Sequence, residues 1–290
     1  MKPPPFSYHD PRTVADAVSL LGSLENAKLL AGGQSLMPML NMRFVLPDHI
    51  IDLNRVEGLS YIRANGALEI GAMTRQREIE FSDAVRERSP LMHEAIRQVG
   101  HRQTRNRGTL GGSLCHLDPA AELVTLAAAF DAKVTVAGKS GARSIDFASF
   151  PVAYMTPAIE PDELVTGATF PCWPKGHGYA FIEFSRRHGD FAIVSAAVLI
   201  EEDSSGKVTR ASVTLGGMGP APVRAREVEK ALIGEVIEEK RMREICEGLR
   251  KCEAIEDIHA PASYRQQLAT VLPRRALLKA HERIAEGKRA

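Results

Sequence analysis

The stretch Arg105–Asp118, RNRGTLGGSLCHLD, constrains this chain more than any other. Arg105 and Arg107 precede a turn that Gly108 opens and Gly111-Gly112 closes, and Ser113 then offers a hydroxyl. Asp118-Pro119 stands ahead of the run AAELVTLAAAF, and an Asp N-cap with Pro in the first turn signals a helix start. A glycine-paired loop close before a helix exposes backbone N–H groups that suit an anion, typically a phosphate. A second loop of the same make lies upstream. Ala31-Gly32-Gly33-Gln34-Ser35-Leu36 follows the apolar strand Lys28–Leu30 and runs into LMPMLNMRF, which reads as a short helix.

Neither loop carries the Gly-Lys-Ser/Thr of a P-loop, and G-x-G-x-x-G is absent from both. Each alone reads first as a plain turn. The pair is more telling: both follow an apolar strand, both end in a hydroxyl residue plus Leu, and both lead towards a helix. Two such loops facing each other would enclose a pyrophosphate, a geometry that suits a dinucleotide better than a mononucleotide.

The other elements are read around these loops. Thr13–Leu24 has apolar residues at helical spacing with Thr13 as N-cap, and His49–Leu53 is a compact strand. Leu59–Ala64 and Ala67–Ala72 flank Asn65-Gly66, a hairpin signal. Thr74–Phe81 and Pro90–Val99 read as helices, and residues 133–147 as a hairpin turning at Lys139-Ser140-Gly141. Glu163–Phe170 is a strand. The stiff connector Pro171–Gly178 makes the domain boundary. Strands near Tyr179–Phe184, Ala192–Ile200 and Val208–Leu215 come next, then helices Val223–Leu232, Glu238–Cys252 and Tyr264–Glu286.

The net charge of +1 argues against a nucleic-acid surface. No apolar run approaches ~18 residues, so no membrane span is expected. The opening MKPPPFSYHDP lacks a signal-peptide core, and the cytoplasm is the expected location. The four cysteines form no C-x-x-C pair and no zinc spacing, so neither a metal site nor an iron–sulfur cluster is expected in this chain.

With these motifs in order, the chain resembles the medium, FAD-binding subunits of molybdenum hydroxylases, the group of carbon monoxide dehydrogenase and quinoline 2-oxidoreductase. The resemblance covers the whole chain. It runs through FSYHDP, AGGQS, Ile51–Leu53, Ile70–Thr74, RNRGTLGGSL, His177–Ala192, the Ala-Pro-Ala-Ser-Tyr-Arg stretch and Arg274-Arg275. It implies an α+β fold: an FAD domain of the vanillyl-alcohol-oxidase (PCMH) type over residues 1–175, with subdomains of about 1–55 and 56–175. A C-terminal domain over 176–290, a three-stranded sheet with a helical bundle, would follow. It implies FAD in this chain, and the molybdenum cofactor and two [2Fe–2S] clusters in a large and a small partner subunit. Two copies of each of three subunits would form a heterohexamer passing electrons to an external acceptor.

The resemblance also assigns roles. Gly32, Gly33, Gly111 and Gly112 would bring backbone to the FAD pyrophosphate, with Gln34, Ser35, Thr109 and Ser113 adding hydrogen bonds and Ala31, Leu36 and Leu110 completing the loops. Asp118 would meet ribityl or ribose hydroxyls, or serve only as a helix N-cap. Gly100 and Leu164 would line the flavin, although Leu164 alone reads as strand core. Arg187, beside Arg186, would approach the flavin or face a partner. Phe191 stands where several relatives carry Tyr, keeping the apolar cover and losing the hydroxyl. No residue is expected to be catalytic. Ser113-Leu114-Cys115-His116 follows the pattern of N-heterocycle hydroxylases, which points to an aromatic N-heterocycle as substrate of the complex. Alternatives are a medium subunit of a carbon monoxide or aldehyde dehydrogenase and, from another class, a self-contained flavin oxidase.

Overall fold

A computed structural model describes residues 1–287; the last three residues of the expected C-terminal domain lie outside them. The N-terminal strands β1 (Ser7–His9), β2 (Ala27–Leu30) and β3 (His49–Asp52) form a parallel sheet in the order β1-β3-β2. Parallel neighbours need crossovers. Helices α1 (Val14–Leu21) and α2 (Leu36–Asn41) supply them. Thr13 caps α1 as expected, its hydroxyl accepting from the Asp16 amide at 3.1 Å.

Next come β4 (Ile62–Asn65) and β5 (Ala67–Gly71), then helices α3 (Gln76–Phe81), α4 (Asp83–Arg88), α5 (Pro90–Ile96), α6 (Arg102–Arg107), α7 (Leu110–His116) and α8 (Glu122–Ala129). Strands β6 (Lys133–Gly138) and β7 (Gly141–Asp146), a small hairpin β8 (Pro151–Ala153) and β9 (Thr156–Pro157), and β10 (Leu164–Pro171) follow. The antiparallel sheet has the order β4-β5-β10-β6-β7. The Asn65-Gly66 and Lys139-Ser140 hairpins both form.

Three helices go beyond the sequence reading: α7, which stands where a turn is expected, and α4 and α6. α4, DAVRER, buries only Val85, and α6, RQTRNR, has no apolar residue, so neither carries a readable hydrophobic period. Tertiary contacts hold α6: Arg105 is buried and reaches Glu80 on α3 at 2.9 Å.

The C-terminal half contains β11 (Gly178–Phe184), β12 (Val194–Glu202), β13 (Val208–Gly216) and β14 (Val223–Arg224) in one antiparallel sheet, with α9 (Arg226–Leu232), α10 (Glu239–Glu247) and α11 (Ala262–Gly287). The sheet thus has a fourth, two-residue strand where a helix was expected to begin. Arg224 explains it. Its guanidinium reaches the Ala128 carbonyl at 2.8 Å and Asp131 at 3.0 Å, while the Ala225 amide donates to Val213. Extended backbone is needed for both.

One face of this sheet packs its Phe181, Ala197 and Leu199 into the core of the preceding half; the opposite face sends Ala180, Ala196, Val198 and Ile200 into the core of the C-terminal helices. A third core, with Ala17, Val18, Leu53, Val56, Leu59, Met73 and Leu164, joins the parallel sheet to the antiparallel one.

Candidate functional site

The two glycine loops touch. Gly32 is buried, and a Cβ placed on it would lie 2.2 Å from the Arg107 carbonyl oxygen and 2.9 Å from the Gly108 Cα. Only glycine permits that approach of two backbones. A Cβ on Gly112 would lie 3.5 Å from the Ala31 Cβ, so the contact continues along the second loop. Side chains lock it: Arg75 donates to the Arg107 carbonyl and to Asn54 Oδ1, and Asn54 donates to the Ala31 carbonyl at 3.0 Å.

Their amides are used differently. Among the described residues, the backbone N–H groups of Gly33, Gln34, Ser35 and Leu36 have no partner in the chain. Gly33 has φ of +73°, the left-handed region, which turns these donors to one side. In the other loop the donors are consumed. Leu110 donates to the Thr74 carbonyl at 3.1 Å, Gly111 to the Ala72 carbonyl at 2.8 Å, Gly112 to the Thr109 hydroxyl at 3.0 Å, and Ser113 to the Thr109 carbonyl at 3.1 Å.

The expected turn at Gly111-Gly112 is therefore replaced by a helix. Both glycines lie inside α7, capped by Thr109. The hydroxyl cap and the β5 end satisfy the first amides of α7, which makes helix better than turn here. Gly111 is needed for packing, since a Cβ would meet the Ala72 Cβ at 2.7 Å. The arginines also separate. Arg105 donates to Glu80 and to the carbonyls of Val99 and Gly100 at 2.9 and 3.2 Å, so it braces the Gly100 bend from inside. Arg107 is exposed.

α7 leads from the loops to a cleft of about 570 Å³. Asp118, Arg187 and Phe191 all line it, and Phe191 is 66% exposed. Arg187 is ion-paired with Asp190 at 3.3 Å. Gly100 adjoins this end, because its neighbour His101 lies where a Cβ on Gly189 would be, 2.3 Å from its Cε1. Asp118 does not cap α8. One carboxylate oxygen accepts from Ala120 at 2.8 Å, Pro119 accepts from the Gly217 amide, and the helix starts only at Glu122 with Ala121 as N-cap. The bond to Gly217 draws residues 118–120 onto the C-terminal half and delays the helix.

Leu164 and Leu110 have fully buried side chains, Leu164 in the core that also includes the flank of Ala31, so neither side chain reaches the cleft. Burial pushes the Cys115 thiol up to about 12 and lowers His116, which leaves the thiol protonated and inert at neutral pH. Tyr154, Asp257, His259 and Arg265 also line the cleft, and the sequence assigns none of them a role. Arg265 ends the Ala-Pro-Ala-Ser-Tyr-Arg motif, the one available signal; Tyr154 sits at a hairpin tip with no signal at all.

Residues 4–173 match the family described as the FAD binding domain in molybdopterin dehydrogenase, and residues 179–280 match the CO dehydrogenase flavoprotein C-terminal domain. The chain belongs to the FAD-binding medium-subunit family of molybdenum hydroxylases. It is 38% identical to the 6-hydroxypseudooxynicotine dehydrogenase complex subunit alpha of Paenarthrobacter nicotinovorans, over 99% of this chain and 98% of that one. Its fold matches carbon monoxide dehydrogenase of Hydrogenophaga pseudoflava with a TM-score of 0.94 and 35% identity, over 98% and 99% of the two chains. It matches quinoline 2-oxidoreductase of Pseudomonas putida 86 with 0.93 and 32%, over 97% and 99%. The α+β fold of an FAD-binding oxidoreductase subunit thus stands, and no helix among the described residues is long and apolar enough to cross a membrane.

Proposed function

We propose that this subunit binds one FAD along α7 and serves as the electron outlet of its complex. The observation that carries this reading is that α7 joins the touching loops to the aromatic cleft. At a rise of about 1.5 Å per residue the helix is about 10 Å long, a span suited to a ribityl chain. The free amides of Gly33 to Leu36 bind the pyrophosphate from one side. Gly111 and Gly112 let α7 approach from the other, offering a bare backbone surface and the Ser113 hydroxyl. Asp118 keeps one carboxylate oxygen free for ribityl hydroxyls, since the other holds Ala120. Phe191 covers the isoalloxazine with an apolar face, and Gly100 and Arg187 flank it. Leu110 and Leu164 act from the core as backing. Bound FAD supplies reversible redox chemistry, taking electrons singly or in pairs.

Electrons would arrive from two [2Fe–2S] clusters of a small subunit, after oxidation of substrate at a molybdenum subunit, and leave to an external acceptor. Two copies of each subunit, in the cytoplasm, complete the proposal, with residues 1–175 as the FAD-binding domain and 176–290 as the second domain. An aromatic N-heterocycle is the favoured substrate of the complex: the Ser113–His116 pattern points there, and nicotine 6-hydroxylase and caffeine dehydrogenase subunits are 36% and 35% identical to this chain. The test is optical. The purified chain, or its complex, should carry a flavin spectrum that acid precipitation releases into solution. A protein that stays colourless with excess FAD, alone and in the complex, overturns the reading.

A further inference from the structure

A buried polar seam runs where the C-terminal sheet meets α8. Glu183 on β11 is in register with Ser195 on β12, and Ser195 with Gly216 on β13, so the three stand side by side on one sheet face. Glu122 and Thr125, one turn apart on α8, lie opposite. A Cβ on Gly216 would fall 2.3 Å from Thr125 Oγ1 and 2.5 Å from Ser195 Oγ. Glu183 Oε2, Ser195 Oγ and Thr214 Oγ1 are all buried with no hydrogen-bond partner among the described residues, and Glu122 is only 6% exposed. Buried oxygens left in this way are ordinarily satisfied by internal water.

The surrounding charges are committed elsewhere. Arg105 is paired with Glu80, and Glu94 on α5 with Lys279 and Arg283. From the helix side, Arg265 is bound to Asp257 at 2.6 Å and to the carbonyls of Ile193 and Gly217. Asp118 adds negative charge, and His116 lies beside Asp118. Arg105 acts on Glu122 only from its pairing with Glu80, and among the described residues no cation is ion-paired with either carboxyl; two carboxyls in so dry a place do not both ionise. Burial, with the nearby Glu183 charge, pushes Glu122 up to about 8; burial alone pushes Glu183 up to about 7. The seam adjoins the cleft: Gly217 lines the cleft directly beside Gly216, and the lining residues Ile193 and Ala120 stand two positions from Ser195 and Glu122.

We propose that Glu122 and Glu183 form a proton-holding carboxyl pair, hydrated through Ser195 and Thr214, that exchanges a proton with the cleft as the group bound there is reduced and reoxidised. The proposal rests on the FAD reading above. Two-electron reduction of an isoalloxazine takes up at least one proton. The electrons come from the partner's clusters, and the proton from one carboxylic acid of the pair, which becomes a carboxylate. When an external acceptor removes the electrons, the proton returns to the pair.

Infrared difference spectroscopy on the full chain tests this. Without FAD, the carbonyl stretch of a protonated carboxyl should persist above about pH 6, beyond the range of ordinary carboxylates, and vanish in E122Q/E183Q. With FAD bound, chemical reduction should diminish that band, and proton uptake from solvent should be larger by about one per flavin in the double variant than in the wild type. If the double variant does not fold, E183Q and the wild-type reduction spectrum carry the same test. No protonated carboxyl above about pH 6, or a band indifferent to reduction, overturns the proposal. Failure to bind FAD overturns the reading beneath it, and the FAD-free band tells the two failures apart.

Discussion

AGGQS and TLGGS are near-copies in sequence and opposites in structure. In the first loop Gly33 takes a left-handed φ, and the amides of Gly33 to Leu36 have no partner among the described residues. In the second, both glycines are helical and every amide from Leu110 to Ser113 is bonded within the chain. The first loop offers donors; the second offers absence of side chains, letting α7 settle against β5 and against the first loop. A Gly-Gly pair thus does two jobs in one site, and the local letters do not say which. The partner surface decides: Thr109, Ala72 and Thr74 supply acceptors for the second loop, while no group among the described residues does so for the first.

Substitutions that add a single methyl group can break this contrast. The largest effect is expected from Gly32→Ala, which drives Cβ onto the Arg107 carbonyl at 2.2 Å, where backbone faces backbone. Overpacking of up to about 3 kcal/mol should weaken FAD binding on the order of 100-fold in calorimetric titration. An affinity within about threefold of wild type would mean that the loops need not touch. Gly111→Ala should act on stability instead, since its Cβ meets Ala72. A loss of about 2 kcal/mol, roughly 4–8 °C in melting temperature, should appear equally with and without FAD. Should Gly111→Ala leave the melting temperature alone and abolish FAD binding, the second loop would be a donor like the first.

Gly33→Ala should be milder. The left-handed φ costs about 1–2 kcal/mol with a Cβ, and the nearest atom, Met37 Cγ at 3.1 Å, belongs to a flexible side chain. The loss should fall on FAD affinity, on the order of tenfold, with little change in the melting temperature of the FAD-free chain. Phe191→Tyr is the smallest, within about 0.5 kcal/mol in FAD affinity, because the apolar cover is retained at an exposed position. A tyrosine variant binding FAD tenfold tighter would show that the hydroxyl finds a partner in this cleft.

Much of the fold is legible in the sequence. The Thr13 cap, the Asn65-Gly66 hairpin and the β-rich stretch after Gly178 rest on local rules of capping, turn chemistry and alternation, and all three stand. The helices α4 and α6 were not legible, because their stability lies in Ser82, Glu80 and Arg105 and not in a hydrophobic period. Asp118 shows the same limit: its capping signal is sound, yet Gly217, far along the chain, holds Pro119 and postpones α8.

By itself the sequence determined that two glycine loops, an aromatic at position 191 and an ordered set of motifs belong together, and with them the family. Only the tertiary structure decided that Arg105 is an internal brace, that Leu110 and Leu164 are core residues, and that Tyr154 and Arg265 join the cleft. Only it sets Glu122 against Glu183. The physical reason is one of range. Capping and periodicity act within a few residues and can be read in order, whereas backbone-to-backbone contact, carbonyl acceptors and charge burial depend on groups that the fold brings in from more than 60 residues away, as between Glu122 and Glu183.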